Sequence, residues 1–262
     1  MTDSNDVPAI AELLNLEGQR VLVTGASGNI GRGIATRLAQ AGADIVVHFH
    51  GDEEGAGETV AAVRELGRSA DKMRADLGDE HQVARCFEAF KTPVTRVVNN
   101  AGNYPVQAFT EMTAAEWREV VAANLDSAVN VSKYAIRAWR AQNLAGAIVN
   151  IASIEGSDPA MGHSHYASSK AALLMLTRSL TLEVGRDGIR VNAVSPGLIS
   201  REDIDKNWPE GVASWREHAP LQRMGDAADV ADAVLFLLAP ASRWISGVNL
   251  VVDGGMSCAS RW

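Results

Sequence analysis

The chain has 262 residues, enough for one large hydrophobic core and ordinary for a single α/β domain. Acidic residues outnumber basic ones, 32 to 24, and the formal net charge of −8 argues against nucleic acid or an anionic membrane as a partner. The two cysteines form neither a disulfide framework nor a metal site, no apolar run is long enough to span a bilayer, and no secretion signal begins the chain, so we expect a cytoplasmic protein without a metal.

The chain begins with residues 1–17, which we assign to a tail because they are polar apart from one short apolar patch. The following stretch, RVLVTGASGNIGRGIATRLAQAGADIVVHF, predicts a strand, a glycine-rich turn, a helix that ends at Gly42 and a second strand. This order is one βαβ unit. Because the turn joins a strand to a helix, its backbone N–H groups and the positive end of the helix can hold a pyrophosphate.

The residues at the end of the second strand, HFHGDEE, bear on the choice between NAD and NADP. In a dinucleotide fold, a carboxylate at this place accepts hydrogen bonds from the ribose hydroxyls, whereas a cation accommodates a 2′-phosphate. His50 is the one candidate cation here, and Asp52 and Glu53 would repel a phosphate dianion. The sequence therefore favours NAD, with the alternative that the acidic residues only form a solvated loop and the start of a helix.

Further along, helices are predicted over residues 52–66, 79–90 and 113–142, the last beginning at a capping box of Thr113 and Glu116. Between the second and third of these helices, the apolar strand VTRVV ends in Asn99 and Asn100, and buried asparagines can tie neighbouring strands together. Asn124 lies in mid-helix, where its side chain competes with backbone hydrogen bonds. We expect it either to widen the helix locally or to lie on the exposed face.

The stretch YASSK places Tyr166 and Lys170 four residues apart at the start of a helix rich in alanine and leucine. This spacing puts both side chains on one helix face. A neighbouring ammonium lowers the pKa of a phenol from its usual value of about 10, so the pair can transfer a proton nearer neutrality. Ser153 ends the strand AIVNIAS and can hydrogen-bond a substrate oxygen. The alternative interpretation of the pair is a surface contact within one helix.

In their order and spacing, the glycine-rich turn, NNAG, Asn124, Ser153, YASSK and SPG resemble the motifs of the classical short-chain dehydrogenase/reductase family, over about residues 18–257. The resemblance implies one α/β domain, residues 18–262, with a Rossmann-type doubly wound parallel sheet of about seven strands and helices on both faces. It places a substrate lid at about 198–221. The implied activity is NAD(P)-dependent hydride transfer between nicotinamide and a secondary alcohol or ketone.

The resemblance also assigns the catalytic roles. Tyr166 would donate the proton to the developing alkoxide, and Ser153 would hydrogen-bond the same oxygen. Lys170 would bind the nicotinamide ribose and depress the pKa of Tyr166, while Asn124 would hold a water that links Lys170 to solvent. The implied cofactor contacts are Thr24, Gly25, Ser27, Asn29, Ile30, Gly31, His50, Asp76, Leu77, Asn100, Ala101, Gly102, Tyr166, Lys170, Pro196, Gly197 and Ile199.

Two of these positions, and Phe49 beside them, carry particular expectations. Asn29 stands where the family usually has glycine, and we expect it to adopt positive φ because asparagine tolerates that conformation best among non-glycine residues. Asp76 would contact the adenine edge, with a helix cap as the alternative role. Phe49 occupies the position where NAD-using relatives commonly carry aspartate, which by itself points to NADP.

The candidate substrate contacts are Tyr104, Ile154, Glu155, His163, Trp208 and Trp215, and the two tryptophans have the alternative role of packing the lid down. A small cyclic or sugar-like alcohol is favoured over a 3-oxoacyl carrier protein, because Leu182 takes a helix position where carrier-protein reductases commonly have arginine and because an acidic enzyme suits an acidic carrier poorly. A catalytically silent dinucleotide-binding regulator remains an alternative of another class. The resemblance further implies a homodimer or homotetramer, formed by the helices of Asn124 and Tyr166 and by the strand at 248–252.

Overall fold

A parallel sheet of seven strands organises the described part of the chain, residues 7–258 of a computed structural model. The strands are β1 (Arg20–Val23), β2 (Asp44–Phe49), β3 (Ala70–Arg74), β4 (Arg96–Asn99), β5 (Gly146–Ile151), β6 (Ile189–Pro196) and β7 (Asn249–Val252). They pair in the order β3-β2-β1-β4-β5-β6-β7. The strand order reverses between β1 and β4, and ligands of such sheets bind outside the carboxyl ends of the strands at that point.

Helices cover both faces of the sheet. The α-helices of the described residues are α1 (Asn29–Gln40), α2 (Glu53–Glu65), α3 (Glu80–Ala89), α4 (Ala114–Val121), α5 (Ser127–Gln142), α6 (Ser164–Val184), α7 (Ile204–Asn207), α8 (Pro209–His218) and α9 (Ala227–Leu238). Val21 and Val23 pack with residues of α1, α2 and α9, whereas Leu22 between them packs with residues of α3, α5 and α6. Because both faces are buried, the strands read as continuous apolar runs. The predicted doubly wound fold is confirmed.

Side-chain caps define the starts of three helices close to the predicted positions. The Asp52 carboxylate accepts the Gly55 N–H at 2.9 Å and caps α2, and Asp79 caps α3 in the same manner. Thr113 and Glu116 form the predicted capping box of α4. The predicted helices over 52–66 and 79–90 are therefore confirmed to within one residue at each end.

Leu13 and Leu16, shortly before β1, contact the body of the domain. A short 3₁₀ helix covers Ile10–Glu12, and Leu16 lies in the core, where its N–H donates to the Ala41 carbonyl at 2.7 Å. Residues 1–6 of the predicted tail and 259–262 of the predicted domain lie outside the described residues. Within residues 7–258, no helix has the length and apolarity that crossing a membrane requires.

Candidate active site

The glycine-rich turn between β1 and α1 forms an open cradle. Asn29 has φ of 30°, as the sequence predicts, and Gly25 has φ of 61°. The N-cap residue Gly28 has no heavy atom within 4 Å of the place that a Cβ would take, and α1 has neither a side-chain cap nor an acidic residue in its first turn. The first N–H groups of α1 therefore have no side-chain acceptor, and the positive helix end faces open space. This cradle fits a pyrophosphate.

The start of the cradle is joined to the residues that follow β4. The Thr24 hydroxyl accepts the backbone N–H groups of Asn100 and Ala101, at 2.8 and 2.9 Å. In return, the Asn100 side chain donates to the carbonyls of Thr24 and Gly25. Gly31 lies so close to Gly25 that a Cβ there would collide with the Gly25 carbonyl. The motif residues on β1, α1 and β4 thus form one rigid unit at the point where the strand order reverses.

Behind this unit, Asn99 ties strands together, as one interpretation of the sequence proposed. Its side-chain amide donates to Asn150 on β5 at 2.8 Å and to Ser132 on α5 at 3.0 Å. Asn150 in turn donates to Thr177 on α6 at 2.9 Å. Asn99 therefore stabilises the packing of the core, and Asn100 stabilises the glycine-rich turn.

His48, which the sequence analysis did not single out, links the turn to β3. Its side chain is 2% exposed, and its Nδ1 accepts the Gly25 N–H at 3.0 Å. Its Nε2 lies 3.2 Å from the Ala75 carbonyl. Burial lowers the pKa of His48 to about 4, although the hydrogen bond to Ala75 opposes this shift. The signal available in the sequence was a polar residue inside the otherwise apolar strand DIVVHF.

The residues proposed to contact the adenosine end lie beside this link. His50 is exposed just after β2, Asp76 is exposed after β3, and Leu77 is buried. The Asp76 carboxylate accepts the N–H of Gly78 at 2.9 Å and caps no helix. The alternative role of Asp76 as a helix cap was wrong, because Asp79 takes that position for α3.

The acidic residues after β2 have structural roles, which was the alternative interpretation of HFHGDEE. Asp52 caps α2, and Glu53 pairs with Lys72 at 2.7 Å. The Lys72 ammonium also lowers the pKa of Glu53. A carboxylate already engaged by a lysine repels a phosphate less, so Glu53 no longer distinguishes NAD from NADP.

Ser153, Tyr166 and Lys170 converge at the carboxyl end of β5. Ser153 caps the 3₁₀ turn Ile154–Gly156, where its hydroxyl accepts the Glu155 N–H at 3.1 Å, and it also hydrogen-bonds Tyr166. Lys170 is 4% exposed and donates to the Ile151 carbonyl at 2.8 Å. Its Nζ lies over the Tyr166 ring, 5.5 Å from the ring centre. The Tyr–Lys pair is therefore not a surface contact within one helix.

The predicted effect of Lys170 on the Tyr166 pKa is wrong for this structure. Burial raises the pKa of Tyr166 to about 12, and the hydrogen bond from Ser153 only reduces that rise. The Lys170 ammonium is bonded to a backbone carbonyl and lies over the ring rather than beside the phenol oxygen. Burial also lowers the pKa of Lys170 to about 8. Burial therefore disfavours the charged form of both groups.

Asn124 lies where its helix widens, which is one of the two arrangements expected from the sequence. It lies in a π-helical segment, Ala122–Asp126, between α4 and α5, and is buried rather than exposed. Its amide donates to the carbonyls of Asn103 and Val120, at 2.7 and 2.9 Å, while its Oδ1 is buried without a hydrogen-bond partner. This Oδ1 lies against Gly102, where a Cβ would collide with it and would lie 3.7 Å from the Lys170 Nζ. The unpartnered oxygen is placed to accept a hydrogen bond from a water near Lys170.

Three candidate substrate residues surround Tyr166. The Tyr104 and His163 rings each lie 5.8 Å from its ring, and His163 Nδ1 is 2.9 Å from a Glu155 carboxylate oxygen. Arg201 donates to the Tyr104 hydroxyl and lies over its ring. Ile154, half-buried, follows Ser153 directly. These side chains give the mouth of the site a largely polar lining.

The two tryptophans of the predicted lid pack within it. Trp215 lies against the buried residues Ile204, Val212 and Met224, and its indole N–H donates to the Arg223 carbonyl at 3.2 Å. Trp208 is 53% exposed, and its ring covers a glycine on α8. Within residues 7–258, no ring contact joins either tryptophan to Tyr166. Their alternative role, packing of the lid, agrees with these contacts.

The segment after β6 lies on the other side of the crevice. Pro196 ends the strand, and a Cβ on Gly197 would lie 2.7 Å from the Trp215 ring, so only glycine fits there. Ile199 forms an isolated bridge with Gly225, to which its two chain neighbours are hydrogen-bonded. In a parallel bridge of this kind, the N–H and C=O of Ile199 point away from Gly225. They are placed to bind an amide such as the nicotinamide carboxamide.

Comparison with known proteins identifies close relatives of the whole domain. A family profile described as enoyl-(acyl carrier protein) reductase matches residues 25–257. The chain is 34% identical over 248 residues to 3beta-hydroxysteroid dehydrogenase 1 of Eggerthella lenta, covering 93% of this chain and 95% of that protein. It is 35% identical over 241 residues to a 3-oxoacyl-[acyl-carrier-protein] reductase of Aggregatibacter actinomycetemcomitans, covering 91% and 99%. A gluconate 5-dehydrogenase from Burkholderia cenocepacia, solved with NADP and tartrate, superposes with a TM-score of 0.88 at 30% identity, covering 95% and 99%.

Proposed function

The chain belongs to the classical short-chain dehydrogenase/reductase family, and we propose that it transfers a hydride between a nicotinamide cofactor and a small cyclic or sugar-like secondary alcohol. The observation that carries this proposal is the convergence of Ser153, Tyr166 and Lys170 at the carboxyl end of β5, beside the open cradle at α1. The relatives named above act on a steroid, an acyl carrier substrate and a sugar acid, so family membership alone leaves the substrate open.

The catalytic residues act on one atom, the oxygen of the substrate carbonyl or hydroxyl group. Nicotinamide, when bound, supplies or accepts the hydride. Tyr166 keeps its proton at neutral pH because its pKa is about 12, so it is ready to donate to the oxygen of a ketone undergoing reduction. The Ser153 hydroxyl donates a second hydrogen bond to that oxygen and stabilises its developing charge. In the oxidative direction Tyr166 accepts the proton, which requires a positive charge nearby.

Lys170 supplies that positive charge from the same helix face. With a pKa of about 8, the ammonium is mostly charged at neutral pH. It would donate to the hydroxyls of the nicotinamide ribose. Asn124 would hold a water next to Lys170 through its unpartnered Oδ1 and return the proton from solvent.

The lining of the site supports a polar substrate. Glu155, His163 and Tyr104 offer hydrogen-bonding groups around Tyr166, which suits hydroxyl-bearing rings better than an acyl chain or a steroid. The 3-oxoacyl-carrier reductase alternative has the named relative in its favour. Against it stand Leu182, which is 85% exposed where a basic residue would face the carrier, and the net charge of −8.

We extend the proposal to NAD as the preferred cofactor. With Glu53 paired to Lys72, the remaining support is Asp52, which has no lysine or arginine partner within ion-pair distance among the described residues and would repel a 2′-phosphate. The gluconate 5-dehydrogenase relative binds NADP, so direct competition is the appropriate test. Titration with NADH and NADPH, followed by nicotinamide fluorescence, should give tighter binding of NADH. Tighter binding of NADPH would refute this part of the proposal.

We further propose a homodimer or homotetramer. The exposed face of α6 carries Met175 and Leu182, and the edge strand β7 exposes Val251. An unpaired edge strand and an apolar helix face are both suited to pairing between copies. Sedimentation velocity should show a species larger than the monomer, and a monomer at all concentrations would exclude this assembly.

The test of the activity is turnover of a substrate panel, followed by the absorbance of reduced nicotinamide. The panel contains sugars and sugar acids, cyclic alcohols, a hydroxysteroid and a 3-oxoacyl thioester. Tyr166→Phe serves as the matched control, because it removes only the hydroxyl. It should retain cofactor binding and lose at least about 10²-fold in kcat, the usual size of general acid catalysis. Turnover by the phenylalanine variant within a few-fold of the parent would refute the catalytic assignment, and a parent that binds cofactor but turns over nothing would favour the silent regulator.

A further inference from the structure

His48 holds two separate segments at one end of the crevice. Its Nδ1 accepts the Gly25 N–H at 3.0 Å, and its backbone carbonyl accepts the N–H of the next residue, Ala26, at 2.9 Å. Its Nε2 lies 3.2 Å from the Ala75 carbonyl. His48, on β2, therefore makes three hydrogen bonds, two to the glycine-rich turn and one to Ala75 just after β3.

The partners of the imidazole determine its protonation. The Gly25 N–H can only donate, so Nδ1 must carry a lone pair and no hydrogen. The single proton of the ring then lies on Nε2, where it is donated to the Ala75 carbonyl. Both contacts require neutral imidazole, and a second proton on Nδ1 would face the Gly25 N–H directly. The titratable groups that face His48 are Asp76, just after β3, and His50, just after β2.

The two segments that His48 joins serve different parts of a dinucleotide. Gly25 opens the turn that forms the pyrophosphate cradle and is held with φ of 61°. Ala75 directly precedes Asp76 and Leu77, which lie where adenine contacts are proposed. His48 therefore connects the turn of the pyrophosphate cradle to the segment proposed for adenine.

We propose that His48 is a positioning residue for the dinucleotide: its contact with Ala75 fixes the neutral Nε2–H tautomer, whose Nδ1 lone pair holds the Gly25 N–H and so keeps the glycine-rich turn in place. The inference rests on the proposed binding of the cofactor at this cradle. His48 itself does not touch the reacting atoms. Its loss should therefore weaken cofactor binding, with the larger effect in the KM of the cofactor rather than in kcat.

Two conservative variants separate the two contacts of the ring. In His48→Asn, the side-chain oxygen takes the place of Nδ1 and retains the acceptor for Gly25, but the side chain is too short for Ala75. In His48→Gln, the amide nitrogen reaches the place of Nε2 and retains the donor to Ala75, but no acceptor remains for Gly25. Each variant thus loses one hydrogen bond and keeps the other, so the two serve as controls for each other.

The experiment is fluorescence titration of parent and variants with NADH and NADPH, together with cofactor KM and thermal unfolding. We expect the Kd of His48→Asn within about threefold of the parent and that of His48→Gln about tenfold weaker, because the pyrophosphate is bound by the turn that only the asparagine supports. Both variants should lose similar thermal stability. His48→Leu, which removes both contacts, should bind at least as weakly as His48→Gln.

The outcomes distinguish this inference from the proposed function. A parent that binds neither NADH nor NADPH would overturn both. A parent that binds, with asparagine and glutamine variants of equal affinity, would overturn the positioning role of His48 and leave the proposed function intact. Affinities that follow only the thermal stability of the variants would do the same. The comparison does not depend on His48→Leu, so a failure of that variant to fold leaves the test decisive.

Discussion

Replacing Thr24 by valine should destabilise the protein by about 2–6 kcal/mol. The hydroxyl accepts the backbone N–H groups of Asn100 and Ala101 at 2.8 and 2.9 Å, and it lies 3.3 Å from the Val98 carbonyl. The residue is 1% exposed, so water does not replace the hydroxyl. Valine has nearly the same shape but leaves two partly buried N–H donors without an acceptor, and each such loss costs about 1–3 kcal/mol.

The matched control is Thr24→Ser, which keeps the hydroxyl and removes one buried methyl group at a cost of about 1 kcal/mol. The free energy of unfolding should be measured by denaturant titration at one fixed protein concentration, because subunit association changes apparent stability. The valine variant should also bind NADH more weakly than the serine variant, since Thr24 supports the NNAG segment. A valine variant whose unfolding free energy lies within about 1 kcal/mol of the serine variant would refute this account of the turn.

Three further predictions concern the cofactor crevice. The Kd for NADH should rise as pH increases through about 8, where Lys170 loses its charge, and a flat profile to pH 10 would contradict this. Asn29→Ala should cost about 1 kcal/mol in a thermal melt because φ is positive there, whereas Asn29→Gly should not; equal losses would exclude strain. Between its folded-state pKa of about 4 and its usual pKa of 6.5, His48 binds fewer protons in the folded chain than in the unfolded chain. The free energy of unfolding of the parent should therefore fall by about 3 kcal/mol as the pH drops through that window, and His48→Asn should not show this loss. Parallel curves of unfolding free energy against pH for the two proteins would refute it.

Most of the fold and of the motif geometry could be predicted, because those features depend on residues close together in the sequence. Continuous apolar runs that alternate with helices specify a parallel sheet buried on both faces, and the capping box at Thr113 is contained in four residues. The positive φ of Asn29 and the widened helix at Asn124 follow from what an asparagine does to its own backbone. Local chemistry is enough in each case.

The features that the sequence analysis missed depend on partners far apart along the chain. His48 acts through Gly25 and Ala75, which lie 23 and 27 positions away, so no local pattern marks it as more than a polar residue in a strand. The direction of the Tyr166 pKa shift depends on how deeply the folded chain buries the phenol. Spacing showed that Tyr166 and Lys170 share a helix face, but spacing does not give the cost of desolvation.

Burial affects two groups of the crevice, His48 and Lys170, that must have different charge states for cofactor binding. His48 must be neutral to hold the glycine-rich turn, and burial achieves this by lowering its pKa to about 4. Lys170 must be charged to bind the ribose and assist Tyr166, yet burial lowers its pKa to about 8 as well. Desolvation favours the first requirement and opposes the second, because it disfavours the charged form of either base. The crevice has both groups in their working states only between about pH 4 and pH 8, and the lysine sets the limit nearer to neutrality. A substitution that exposes Lys170 to water should therefore extend the alkaline limit of cofactor binding, whereas one that exposes His48 should raise the acid limit.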